Sequence, residues 1–141
     1  KVLAQRYGHW AEFRAHFPGL GMTLLLALFT PVLFAAPGAV LIQGRVTPRE
    51  NGLISLAGPA TNLVLALIAW PFAWAVNADA LLPAVASRVA LINAFLCLFN
   101  LVPLGPLDGR KVLALSKLAY AGSAVAALTG FLAILVWTNG I

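Results

Sequence analysis

The sequence predicts an all-α membrane protein with three transmembrane helices plus a re-entrant, strand-like segment embedded in the same layer. Two observations carry that prediction. Of 141 residues, 62% are hydrophobic and 9% charged, where a soluble domain carries about 25% charged residues; the mean hydropathy is +0.95. The few charges also leave four uncharged stretches, 20–42, 53–76, 89–107 and 118–137, each near the roughly 20 residues that cross a hydrocarbon core of about 30 Å. No linker, tail or low-complexity segment interrupts them, so 1–141 reads as a single membrane-embedded domain.

The opening KVLAQRYG reads as the last turns of a helix over 1–8, with Ala4 and Gly8 on one face and Gly8 as a natural stop. The chain starts at Lys1 without an initiator Met, and a fragment cut inside a helix is the expectation. From Trp10 to Phe17 the pattern alternates: Trp10, Glu12, Arg14 and His16 share one face, and Ala11, Phe13, Ala15 and Phe17 the other. That period of two predicts an interfacial extended segment.

Basic residues decide which apolar stretches cross. The polar gaps hold Lys1, Arg6 and Arg14, then Arg45 and Arg49, then Arg88, then Arg110, Lys111 and Lys117. If all four stretches cross, the two sides receive five and four; if 20–42 enters and returns, they receive eight and one. The positive-inside rule prefers the second arrangement and puts the Asp108 end on the cytosolic side. Pro31 and Pro37-Gly38 interrupt 20–42, and proline removes a backbone donor. The run AAPGAVLIQGRVT is strand-like, so 10–46 is expected to be interfacial and re-entrant, followed by helices at 53–76, 89–107 and 112–137. A four-helix membrane protein with poor charge bias is the alternative.

The net charge of +5 fits headgroup contact and topology control. No basic helix with interleaved aromatics exists for a nucleic acid to follow, so the bilayer is the expected partner. Cys97 is the sole cysteine, which excludes an internal disulfide and reads as a small buried hydrophobe. His9 and His16, seven apart on an extended segment, lack metal-ligand spacing. No serine has a nucleophile-elbow context.

Two places break the apolar pattern with polar groups. In Ala57-Gly58-Pro59-Ala60-Thr61-Asn62 the small residues permit close helix approach and Asn62 can hydrogen-bond across it. In Asn100-Leu101-Val102-Pro103-Leu104-Gly105-Pro106-Leu107-Asp108-Gly109 the two prolines must break a helix and leave a loop ending in Asp108. A carboxylate at the membrane boundary is costly unless paired, capping or bound to a metal. Asp108 is therefore a functional candidate, with an N-cap of the last helix as the plainer alternative. Asn100 has the parallel alternative of a satisfied interhelical amide.

The string NLVPLGPLDG, preceded about forty residues upstream by LAGPATN, resembles the site-2 protease family of intramembrane zinc metalloproteases. There an AGPxxN segment sits on one core helix and NxxPxxPLDG ends the next. The opening KVLAQRYG resembles the AxxxG pair that follows the HExxH zinc motif on its helix. The three motifs come in the family's order and spacing over nearly the whole chain. The resemblance implies Zn2+ as cofactor, Asp108 as a metal ligand completing two His of HExxH, Asn100 beside the site to orient the scissile carbonyl, and Asn62 as a structural or site-lining residue. It implies hydrolysis of peptide bonds in membrane-anchored protein substrates, with zinc and the HExxH Glu activating water. The 141 residues contain neither that His pair nor that Glu, so the fragment by itself is expected to be inactive. A substrate bond must be held extended, and the strand-like run 34–46, with Val40 and Ile42, could offer an edge for strand addition.

Two other readings remain open. A transporter or channel subunit also builds sites from broken helices and intramembrane carboxylates. A catalytically inactive homologue would serve as a binding module for membrane partners. The residues encoded just upstream of Lys1 discriminate among the three.

Overall fold

A computed structural model of the chain describes residues 1–15, 17, 38–74, 81–104 and 107–138. Its contacts divide into two compact units, Lys1–Val46 and Thr47–Ile141, and each is described by itself.

In the first unit, helix α1 (Val2–Arg6) ends as its sequence suggests. Gly8 takes a left-handed φ of +79°. The amide of Gly8 donates to the Gln5 carbonyl at 3.0 Å and that of His9 to Ala4 at 3.1 Å, the paired bonds of a Schellman stop. Strand β1 (Trp10–Ala15) then runs antiparallel to β2 (Gly38–Gln43), with Trp10 opposite Gln43 and Ala11 opposite Ile42. The alternation read from the sequence is thus realised over 10–15, and the strand-like run over 38–43. Ala11 and Phe13 share a face with Ile42 and Val40 because side chains alternate along a strand. On the opposite face Glu12 and Arg14 form an exposed ion pair at 3.5 Å. The rest of the expected re-entrant segment, with Pro31, Pro37 and His16, lies outside the described residues.

The second unit contains α2 (Pro48–Trp74), α3 (Leu81–Asn100), α4 (Asp108–Leu115) and α5 (Lys117–Thr138). Helices α2, α3 and α5 are each long and apolar enough to cross a membrane, which fits a multi-pass membrane protein. Helix α2 begins five residues before the uncharged stretch at 53 because Thr47 and Glu50 make a capping box. The Thr47 amide donates to Glu50 Oε2 at 2.9 Å and the Glu50 amide to Thr47 Oγ1 at 3.2 Å. Pro48 occupies the first helical position, where its missing N–H costs nothing.

Helix α3 lies antiparallel along α2. One buried cluster joins Ala66 to Ala90, Ala94 and Ile134, and a second joins Leu56 and Leu63 to Cys97, Leu101, Val112 and Ala127. As numbers fall along α2 they rise along α3, and α4 continues the trend. A Cβ on Gly58 would lie 3.6 Å from Asp108 Oδ2, and one on Gly52 would collide with Leu115. So α3 and α4 run in the same direction beside α2. The helix expected over 89–107 instead stops at Asn100, ahead of Pro103, and α4 starts at Asp108.

The helix expected over 112–137 begins at Lys117, because Ser116 is extended (φ −165°, ψ 127°) and turns the chain between α4 and α5. The Ser116 hydroxyl accepts from the Ala119 amide at 3.3 Å, starting the new helix. At the far end of the unit, Trp74 stacks on Trp137 with centroids 5.4 Å apart, and Trp70 meets Trp74 edge-on at 6.3 Å. Amphipathic indoles gather at membrane interfaces.

Candidate functional site

Asp108 stands at the start of α4, the end of that helix level with Gly58 of α2. Gly58 lies six residues further into α2 than Gly52, or about 9 Å along the axis at 1.5 Å per residue. The carboxylate level with Gly58 therefore lies about 9 Å deeper than the level of Gly52, where the uncharged stretch of α2 begins. Backbone carbonyls shape this corner. A Cβ on Gly109 would run into the Leu101 carbonyl and the Val102 oxygen, so only glycine lets the start of α4 press onto the end of α3.

Asp108 is not used up by local structure. The cap position of α4 is Leu107 and no side chain caps the helix; Asp108 itself is the first helical residue. The N-cap alternative is therefore not the arrangement found. A carboxylate in a first turn is favoured by the helix dipole, and Lys111, one turn on, brings Nζ to 3.4 Å from Oδ1. The two side chains are 31% and 42% exposed, so the pair is partly screened and contributes little to stability. The other oxygen, Oδ2, lies over the bare backbone of Gly58, with no hydrogen-bond or ion-pair partner among the described residues.

Asn100 ends α3, one residue before the carbonyl that Gly109 abuts. Its Nδ2 turns back onto the Leu96 carbonyl at 2.8 Å, which orients the amide and leaves its oxygen as the other polar face. Asn62 is half-buried on α2, four residues beyond Gly58 and so one turn deeper on the same face. The second unit thus brings Gly58 of the AGPATN segment level with Asp108 of the NLVPLGPLDG segment. Val40 and Ile42 belong to the first unit. They share the apolar face of the two-stranded sheet opposite Phe13 and Ala11. Lys111 is the participant that sequence reasoning gave no role, and the i,i+3 spacing from Asp108 was its available signal.

Catalytic zinc takes three protein ligands and leaves one position open. Among the described residues no group of three His, Cys, Asp or Glu could hold a metal ion. Asp108 fits as one oxygen ligand through the carboxylate edge that Lys111 does not occupy, and the described residues of the second unit form no larger ligand group. No family model matches the chain, and neither does any solved structure. The chain is 42% identical over 114 residues to a protein of Methanocaldococcus jannaschii named "Putative zinc metalloprotease"; the match takes in 80% of this chain and 60% of that protein, so the chain spans about three-fifths of its relative's length.

Proposed function

We propose that this chain is the membrane core of a zinc-dependent intramembrane protease of the site-2 type, in which Asp108 is a metal ligand. The observation that carries the reading is a carboxylate at the start of α4, level with Gly58 of α2, one oxygen held by Lys111 and the other unengaged over Gly58. The similarity to a protein named as a zinc metalloprotease supports the metal. The reading assigns the two further ligands and the general base to an HExxH motif preceding Lys1 in the whole protein.

When bound, zinc supplies Lewis-acid polarisation of a peptide carbonyl and acidifies water. This chain's residues do the positioning. Gly109 fixes the inner start of α4 against Leu101, Lys111 restrains the Asp108 rotamer, and Asn100, tethered through Nδ2, presents its amide beside the site to orient the scissile peptide. The non-helical residues 101–104 fit this reading, because irregular backbone at membrane depth can line a protein-enclosed wet cavity. Substrates are membrane-anchored proteins, bound extended along the edge of β2 near Val40 and Ile42. The Asp108 end faces the cytosol, since Arg49, Arg110, Lys111 and Lys117 lie at that end of the second unit and Arg88 alone serves the other.

The test uses the whole protein in detergent micelles. Asp108→Asn should abolish cleavage of a membrane-anchored substrate and lower zinc affinity by more than the roughly 10- to 100-fold that loss of an outer-shell partner costs. Retained zinc and activity would refute the assignment. Val40→Pro or Ile42→Pro should impair cleavage while zinc content stays intact, and equal loss of both would remove the substrate role of β2.

A further inference from the structure

We infer that the Arg88 face of α3 is a binding site for one anionic phospholipid, at the membrane surface opposite Asp108. Arg88 is exposed and lies inside α3 rather than in a loop. Residues three, four and seven positions on, Leu91, Ile92 and Phe95, fall on the same helical face. Together with Phe131 and Leu135 of α5, these three line an apolar groove of about 260 Å³ with no polar lining. Phe95 and Phe131 close one part of it, with centroids 6.2 Å apart. A cation thus stands at the head of an open hydrocarbon slot.

Depth agrees with chemistry. Helices α3 and α5 are antiparallel, so with Phe95 beside Phe131 the level of Arg88 corresponds to the last turn of α5, where Trp137 stacks on Trp74. Indoles mark the headgroup level. Helical side chains lean toward the N-terminus, so the Arg88 guanidinium leans away from the groove and toward that surface, as a snorkelling arginine does. Among the described residues no carboxylate pairs with it. A planar guanidinium matches phosphate oxygens bidentately. One ligand class satisfies a phosphate-binding fork at headgroup depth and an apolar slot running inward below it, and that is a phospholipid carrying net negative charge. A transmembrane partner helix without a carboxylate at that level would fill the slot but leave the guanidinium unanswered.

The experiment uses the full chain in nonionic detergent with phosphatidylglycerol or phosphatidylcholine carrying the same diazirine-labelled acyl chain. Adducts are mapped by peptide mass spectrometry. The expected result is labelling at 91–95 and 131–135, with phosphatidylglycerol favoured by about fivefold. Arg88→Gln should bring the two lipids to parity, and Arg88→Lys should restore part of the preference. Phe95→Ala with Phe131→Ala should lower labelling by both. Parity in the unaltered protein, a preference surviving Arg88→Gln, or adducts confined to other segments would overturn the inference. So would disulfide capture of a second polypeptide by Ile92→Cys in native membranes, because a protein would then cover the groove. If Arg88→Gln shifts thermal unfolding, Arg88→Lys decides: a preference kept in whole or in part supports the site, and parity between the two lipids refutes it.

Discussion

Helices α2 and α5 have nearly the same mean hydropathy, 1.8 and 1.9 over their most apolar windows, yet the shares of those windows buried inside the protein are 22% and 11%. Their glycines show what hydropathy does not. On α2, Gly52 and Gly58 face α4, where an added methyl would meet Leu115, the Lys111 carbonyl or the Asp108 carboxylate. On α5, Gly122 faces open space, with nothing within 4 Å of a Cβ built on it. Lipid tails are as apolar as leucine, so apolar residues are spread around both helices and the protein-facing side is marked by small residues instead. The α2–α4 seam uses that close approach to bring a carboxylate against bare backbone. The outer face of α5 has no such demand.

Alanine substitutions at the glycines break the comparison most directly, and Gly109 should give the largest effect. A Cβ there would overlap the Leu101 carbonyl carbon and oxygen, backbone atoms that cannot swing aside. Gly109→Ala should destabilise by about 3 kcal/mol, the upper end of ordinary overpacking, read as a large fall in unfolding temperature in detergent. Gly52→Ala comes next. Its new methyl would overlap Leu115 Cβ and press on the Lys111 carbonyl at 3.1 Å, but α4 can shift as a body, so about 1–2 kcal/mol is expected. If both substitutions are silent, the close packing of α4 on α2 and α3 is wrong.

Much of this architecture was legible in the residues. Alternation from Trp10 marked β1, and Val40-Leu41-Ile42 marked β2, but their pairing joins segments more than twenty residues apart and no local pattern fixes such a register. The three crossing helices followed from uncharged stretches, although their ends did not. An uncharged run says where lipid can be, whereas a helix ends where its backbone groups find other partners. The start of α2 was written in Thr47-Pro48-Arg49-Glu50 as a capping box with proline at the first position, a better signal than the first apolar residue. The corner at Ser116 was likewise a capping serine inside an apolar pattern. The prolines at 103 and 106 announced a break before Asp108. That the chain resumes as α4 in the same direction, carrying Asp108 to the level of Gly58, depends on close contacts among Gly52, Gly58 and Gly109 that only three-dimensional packing reveals.

Gly58 and Gly122 sharpen the comparison with smaller effects. At Gly58 a methyl would make an ordinary contact, 3.6 Å from Asp108 Oδ2, so folding should tolerate Gly58→Ala within about 0.5 kcal/mol. The same methyl would crowd the carboxylate oxygen that Lys111 leaves unengaged. If Asp108 is a zinc ligand as proposed, proteolysis and zinc affinity of the whole protein should fall by roughly tenfold with unfolding temperature unchanged. Loss of stability in parallel with activity would reduce Gly58 to a packing residue. Gly122→Ala is the matched control on the outer face. It adds no contact within the protein and removes a flexible residue from a helix, so it should stabilise by about 0.5 kcal/mol and leave zinc binding untouched. A marked destabilisation there would mean that another polypeptide packs against this part of α5, and the contrast between seam and surface would have to be redrawn.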